Sequence, residues 1–304
     1  ILAGVLALFI IINILKGFYS EWLWFSNLGY DSVYTTILKT KVLLFFSAAI
    51  IFCILFLGNL VLATRLASKT EVHFWPWSVA SQIQKKLRLG VILGTALLSL
   101  IFGMAAQGNW QVVLEFFNGQ PFGITDPVFS REIGFYVFSL PFLQFLRGWF
   151  TSALIITLLG STGVYLLSYT VQRLKFDFAR PVLAHVGGLA ISVLGLFAWG
   201  YWLGIWELVF STRGVVFGAS YADIHAKVPA QWILLVVVII FIGVILFSIL
   251  RRNTRWPLYG IGGWIVVAII AGAIFPALVQ RFQVQPSELA REEPYIEYNI
   301  QFTR

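Results

Sequence analysis

Residues 231–250 read QWILLVVVIIFIGVILFSIL, an apolar run in which no side chain carries a charge. About 20 residues at a rise of 1.5 Å per residue cross the hydrocarbon core of a bilayer. Within hydrocarbon, a single segment can satisfy its own backbone hydrogen-bonding groups only as an α-helix. The stretch therefore predicts a transmembrane helix.

Six further runs have the same apolar character and carry no charge in their interiors. Composition agrees, because 59% of the residues are hydrophobic, 11% are charged and the mean hydropathy is +0.87, whereas about 25% are charged in soluble domains. We expect an all-α membrane protein, a seven-transmembrane-helix bundle with short interfacial helices in the outer loops. The further runs are residues 1–15, 42–64, 89–106, 149–171, 182–206 and 256–279.

The two ends of the chain differ in character. The first run is short, and Lys16 follows it rather than a small-residue cleavage site, so we expect a transmembrane helix that lacks its start rather than a signal peptide. We expect residues 1–279 to form the transmembrane domain and residues 280–304 to begin an extracytoplasmic soluble domain that continues further. Pro286 and Pro294 predict two helix starts in this tail.

Basic residues are concentrated in alternate connections between the runs. Residues 65–88, 171–181 and 251–255 contain 11 of the 21 lysines and arginines, whereas the other connections and the tail are close to neutral. Because positive residues favour the cytoplasmic side, this pattern predicts a cytoplasmic N-terminus and an extracytoplasmic tail. Lys39 and Lys41 oppose the rule weakly. The net charge of +8 is thus explained by topology and indicates no nucleic-acid partner.

The predicted outer segments carry most of the aromatic residues found outside the runs. Residues 17–41 are rich in Trp, Tyr and Phe, which favours a segment lying along the membrane surface. Trp110, Val113, Leu114 and Phe117 share one face at helical spacing, which predicts a short interfacial helix.

Small residues suggest where helices pack closely. Gly90 with Gly94, and Gly200 with Gly204, have the four-residue spacing that allows two helix backbones to approach. The seventh run is rich in Gly and Ala, so we expect residues 256–279 to lie inside the bundle.

Charged side chains (Asp, Glu, Lys and Arg) are absent from all seven runs as delimited above. Ion-coupled carriers and proton relays need such groups at membrane depth, so a simple ion pump is disfavoured, whereas a path for neutral or lipid-like molecules remains open. His185 lies near the cytoplasmic end of the fifth run and is interpreted as an interfacial histidine.

Candidate binding residues lie on the outer segments. Asp126, Arg131 and Glu132 could form a polar cluster in which Arg131 pairs with an acid, and structural pairing is favoured over catalysis for this group. Asp223 and His225 could converge on a metal, but two ligands are too few for a zinc site, so a hydrogen-bonded loop support is favoured. Glu207 follows the fifth run directly. A lone carboxylate at a helix end is usually only solvated, although Glu207 could also act as a general base or contact a lipid head group. The candidates are Asp126, Arg131, Glu132, Glu207, Tyr221, Asp223 and His225.

Sequence signatures of common enzyme classes are missing. The chain contains no glycine-rich phosphate loop, no Gly-x-Ser-x-Gly elbow and no His-Glu-x-x-His. We therefore expect no cofactor and no metal, and the sequence does not favour an enzyme.

Several segments together resemble the UPF0182 family of bacterial membrane proteins. The resemblance implies a seven-helix N-terminal region in the bacterial plasma membrane and a large exported domain, most of which this chain lacks. It transfers no catalytic or binding residue. The matching segments are residues 22–25 (WLWF), 28–30 (LGY), 126–129 (DPVF), 135–138 (FYVF), 218–226 (GASYADIHA), 276–289 (PALVQRFQVQPSEL), 293–296 (EPYI), 299–300 (NI) and 303–304 (TR).

Two functions from different classes fit these observations. The first is a membrane anchor or scaffold that orients the exported C-terminal domain and presents its outer loops to that domain or to other envelope proteins. The second is a lipid-handling or amphiphile-transport protein with a laterally open cavity. Membrane lipids are partners in both.

Overall fold

The computed structural model describes residues 2–67, 77–171, 180–252 and 255–303, and within these ranges the regular structure is helical. Short π-helical or 3₁₀ turns extend several helices, and one isolated antiparallel bridge joins Thr125 to Glu132. The helices are α1 Leu2–Asn27, α2 Asp31–Ala67, α3 Trp77–Gln107, α4 Trp110–Asn118, α5 Leu140–Val171, α6 Arg180–Glu207, α7 Val228–Arg251, α8 Arg255–Ile269, α9 Phe275–Val279 and α10 Glu288–Thr303.

Six helical segments are long and apolar enough to cross a membrane. The all-α class is therefore confirmed. The first predicted run lies in α1, but most of its side chains lie outside the described residues, so a seventh span stays a prediction. The six segments are Asp31–Ala67, Leu89–Gln107, Phe135–Ser168, Arg180–Phe210, Asp223–Arg251 and Arg255–Gln301.

The long helices pack as a chain of neighbours in the order α3, α2, α5, α6, α7, α8. Aromatic stacking joins the first part of this chain, because the rings of Phe52 in α2 and Phe102 in α3 lie 4.1 Å apart. Trp149 in α5 donates its indole N–H to the Phe102 carbonyl at 3.1 Å. Such a bond is strong support for packing, since the indole group would otherwise be unpaired in an apolar setting.

Residues 17–41, predicted to lie along the membrane surface, form the end of α1, a turn and the start of α2. The first part completes α1, a turn with Gly29 at φ +75° follows, and α2 begins at Asp31. The hydroxyl of Tyr34 donates to the Phe18 carbonyl at 3.1 Å and ties the two helices together. The aromatic density therefore marks the end of two long helices. By contrast, the short helix predicted around Trp110 is confirmed as α4.

Helix packing departs from the glycine-spacing predictions. A Cβ atom added to Gly90 or to Gly94 would meet no described atom within 4 Å, so the predicted contact between backbones at this pair is wrong. Helix α8 has no buried residue and packs chiefly on α7, so the prediction that residues 256–279 lie inside the bundle is wrong for residues 256–269. Ala271, Pro276 and Val279, in the later part of the run, are buried. Small residues permit close packing but do not require it.

Candidate functional site

One end of the bundle carries the complex loops, and we call it the loop-rich end. It comprises residues 119–139, residues 207–227 and residues 285–303, which contact one another. All seven residues predicted as candidates lie here. Their partners show which of them are structural and which remain available to a ligand.

Asp126 organises a tight turn. Its side chain is only 8% exposed, and Oδ2 accepts the Phe129 N–H at 2.6 Å and the Tyr136 hydroxyl at 3.3 Å. The backbone closes the same turn, because the Asp126 N–H donates to the Arg131 carbonyl at 2.7 Å. The carboxylate is thus engaged in holding the loop rather than facing a ligand.

Arg131 and Glu132 point to different partners, so the predicted polar cluster of Asp126, Arg131 and Glu132 does not form. The Arg131 guanidinium lies between two rings, 4.5 Å from the centroid of Phe135 and 4.2 Å from that of Trp206. Glu132 Oε1 accepts the Phe122 N–H at 2.6 Å. The acid pairing expected for Arg131 is replaced by a cation–π arrangement, which the aromatic composition of this end makes available.

Asp223 is buried at the start of the helix that leads into α7. It is 1% exposed; its Oδ2 accepts the Ser220 hydroxyl at 2.9 Å and its Oδ1 lies 2.9 Å from Lys227 Nζ. A carboxylate at a helix N-terminus is also favoured by the helix dipole. These partners occupy both oxygens, so Asp223 acts as the loop support that the sequence favoured.

His225 does not face Asp223. Its ring stacks on Tyr221, with centroids 4.0 Å apart and an interplanar angle of 16°, and its Nδ1 lies 3.1 Å from the Tyr221 carbonyl. In the described part of the chain, no three His, Cys, Asp or Glu side chains lie close enough to hold a metal ion. Tyr221 and His225 therefore form an aromatic pair rather than part of a metal site.

Tyr221 is the point at which α10 contacts the loops. The Glu292 carboxylate, 1% exposed, accepts the Tyr221 backbone N–H at 3.2 and 3.3 Å. Arg291 donates to the Tyr221 hydroxyl at 2.9 Å and lies 5.0 Å from its ring centroid. Asn299 adds a bond to the Phe217 carbonyl at 2.8 Å. Charge-assisted bonds of this kind are the stronger ones in proteins.

Sequence reasoning missed these α10 residues because their partners lie far away along the chain. Glu292 is 71 residues from Tyr221. The only available signal was the resemblance of residues 276–296 and 218–226 to one family, which marked both segments without indicating that they touch.

Two of the cavities at the loop-rich end are lined by predicted candidate residues. One, of about 450 Å³, is lined by Glu207, Arg213 and Lys227 together with residues of α7. The other, of about 260 Å³, lies between the loops and α10, where its walls are largely aromatic. Glu207 is exposed and makes no ion pair within the described residues, so it is the sequence-predicted candidate that remains free to meet a ligand.

Polar groups also lie between the spanning helices. His185 in α6 contacts the Tyr165 hydroxyl in α5 through Nδ1 at 2.7 Å and the Asn59 Oδ1 in α2 through Nε2 at 3.0 Å. The Asn59 amide N–H₂ donates to Leu55, so its oxygen is the atom that accepts from Nε2. His185, interpreted from the sequence as an interfacial histidine, thus joins three helices.

Arg147 is a charged residue that lies just before the apolar run predicted at residues 149–171. It lies in α5, within the span Phe135–Ser168, because this helix begins well before the apolar run at residue 149. Its guanidinium lies against Gly200 of α6, and its Nε is buried with no hydrogen-bond partner in the described ranges. The run delimited from residue 149 therefore begins two residues after a charge that lies within the apolar segment Phe135–Ser168.

Comparison with known proteins places these features in a family. The model of the Uncharacterised protein family (UPF0182) matches residues 1–304. UPF0182 proteins of Frankia casuarinae, Streptomyces coelicolor and Desulforamulus reducens are 35%, 36% and 34% identical to the chain, over 97%, 99% and 100% of it. The matches cover 30%, 31% and 35% of those proteins, so the chain spans about a third of their length.

No solved structure matches the chain. The assignment therefore follows from the sequence relationship alone, which extends over nearly the whole chain in each relative named above. Since the family model also covers every residue, the chain belongs to the UPF0182 family.

Proposed function

We propose that this protein is a multi-pass plasma-membrane anchor that holds and orients an exported C-terminal domain. Residues 1–279 are the transmembrane domain in this proposal, with a cytoplasmic N-terminus, and residues 280–304 begin the exported part. Its partners are membrane lipids, the rest of the exported domain and other envelope proteins. The charge distribution among the connections supports this orientation.

One observation carries the proposal: Glu292 of α10 is buried against the backbone N–H of Tyr221. An anchor that only tethers needs a flexible link, whereas an anchor that orients needs contacts that fix direction. Helical structure continues from Arg255 to Gln301, and Arg291, Glu292 and Asn299 then fasten its last helix to the loops. The tail is therefore held at several points.

The test is the Glu292→Ala variant in the full-length protein, with spin labels on the transmembrane domain and on the exported domain. Hydrogen bonds to charged groups contribute about 1.5–3 kcal/mol, so we expect a broader distance distribution and faster hydrogen exchange at Tyr221. Glu293→Ala removes an exposed neighbouring carboxylate and serves as the control. An unchanged distribution in Glu292→Ala would contradict an orienting role.

A second candidate is a lipid-handling protein, and the cavity beside Glu207 favours it. Its volume of about 450 Å³ falls within the range of about 300–1,000 Å³ typical of small-ligand sites. Lipids that remain with the purified full-length protein can be identified by mass spectrometry. Reproducible retention of one lipid species would favour this candidate over a purely anchoring role.

A further inference from the structure

The cavity beside Glu207, which we call the Glu207 cavity, lies where α6 ends and α7 begins. Its lining includes residues 211–213 of the connection together with Leu234 of α7 and Gly272. A Cβ atom on Gly272 would lie 3.7 Å from Leu234 Cδ1, so these two residues lie close together. The lining thus combines polar residues of the connection with apolar residues of the helices.

Charges of both signs line the polar part without neutralising each other. Glu207 and Arg213 are exposed, and neither makes a salt bridge within the described ranges. Lys227 is already paired, because its Nζ lies 2.9 Å from Asp223 Oδ1. One carboxylate and one guanidinium that line the same cavity therefore remain available to a ligand.

An unsatisfied amide oxygen also belongs to the lining of the same cavity. Gln231 Oε1 is buried and has no hydrogen-bond partner in the described part of the chain. Its amide lies against Gly204, where a Cβ atom would come within 3.0 Å of Nε2. Buried polar groups in folded proteins are nearly always hydrogen-bonded, so this oxygen indicates a missing donor.

We propose that the Glu207 cavity binds a zwitterionic group that joins a primary ammonium to a phosphate, the chemistry of a phosphoethanolamine head group. The ammonium supplies N–H donors for the Glu207 carboxylate and Gln231 Oε1, and the Arg213 guanidinium pairs with the phosphate, a geometry that arginine favours. A quaternary ammonium cannot donate and an anionic head group lacks the cation, so both fit less well.

This site is independent of the anchoring proposal. The Glu292 contact with Tyr221 does not line the Glu207 cavity. Loss of lipid selectivity and loss of tail orientation can therefore be measured as separate outcomes.

The test is native mass spectrometry of the purified protein after equilibration with equal amounts of phosphatidylethanolamine, phosphatidylcholine and phosphatidylglycerol. We expect preferential retention of phosphatidylethanolamine. Glu207→Gln should reduce that preference about tenfold, the factor that one charge-assisted hydrogen bond contributes. Arg213→Gln should weaken retention of all three lipids, since each carries a phosphate.

Matched controls separate the site from a general charge effect. Glu293→Gln and Arg281→Gln remove exposed charges that do not line the cavity, and we expect lipid retention to stay unchanged. Soluble glycerophosphoethanolamine is the second probe: competition with the lipid shows that the head group suffices, and absence of competition shows that the acyl chains contribute. Equal retention of the three lipids, or equal behaviour of Glu207→Gln and Glu293→Gln, would refute the site.

Discussion

At the scale of single residues, Arg147 and Gly200 show how a charge is accommodated between two spanning helices. A charged side chain at the centre of a membrane helix costs about 2.5–3.5 kcal/mol on insertion scales. Here the guanidinium lies against the bare backbone of Gly200, which offers room that any larger residue would occupy. Gly200 was predicted to bring two backbones together, and it instead receives a side chain.

Replacement of Gly200 by alanine tests this packing. The new Cβ would overlap the Arg147 guanidinium; because this is the end of a long, flexible side chain, we expect a cost at the lower end of the about 1–3 kcal/mol typical of overpacking. We expect a lower Tm for Gly200→Ala in detergent, measured by tryptophan fluorescence. Gly195→Ala on the same helix is the control, since no described atom lies within 4 Å of the added methyl. Equal Tm values for the two variants would contradict the contact.

At the scale of elements, α10 is the clearest departure from local sequence signals. Pro286 and Pro294 predicted two helix starts, but a single helix runs from Glu288 to Thr303 with Pro294 inside it. Proline removes one backbone donor from a helix and disfavours its interior. The helix persists because Glu292 and Asn299, on either side of Pro294, are bound to the loops.

Cross-linking tests the docking of α10 on the loops. In a Cys53→Ala background, we expect the pair Phe217→Cys and Asn299→Cys to cross-link efficiently, because the Asn299 amide lies 2.8 Å from the Phe217 carbonyl. The control pair is Phe217→Cys with Leu289→Cys, ten residues or about 15 Å along the same helix. Peptide mass spectrometry measures both. Comparable yields from the two pairs would show that α10 is not docked as described.

At the scale of the whole molecule, the directions of the helices place their basic ends at the same end of the bundle. Helices α2 and α7 end near Arg65 and Arg251, and α6 and α8 begin near Arg180 and Arg255. Because α5 and α6 run in opposite directions and α6 ends at Glu207 in the loop-rich end, the basic ends lie together at the opposite end of the bundle. This arrangement is the one that the positive-inside rule requires.

Cysteine labelling in intact cells tests the predicted orientation. In a Cys53→Ala background we expect a membrane-impermeant maleimide to label Ser287→Cys, which is exposed at the loop-rich end. Arg251→Cys, exposed at the basic end, should react only after permeabilisation. Ser220 is unsuitable as a reporter because it is 3% exposed. The reverse labelling pattern would invert the topology.

The candidate site was predictable only in part. Residues 218–226 and 126–129 were identified as segments of interest, and Asp223 was correctly interpreted as a loop support. The partners were not predictable: Arg131 was expected to pair with an acid and instead contacts Phe135 and Trp206. The spacing of residues along the sequence predicts the faces of one helix or the residues of one turn. It does not predict these contacts, because they join segments that are far apart in the sequence.

Length and apolarity were sufficient to assign the all-α class and six helices long and apolar enough to cross a membrane, because transfer into hydrocarbon depends on each segment's own composition. The assembly of the loop-rich end was evident only from the tertiary structure. Tyr221 and Glu292 meet across 71 residues, and the free Glu207 and Arg213 face one cavity because α6 and α7 pack side by side. These contacts depend on how separate helices and loops pack against one another, and the sequence of one segment alone does not determine that packing.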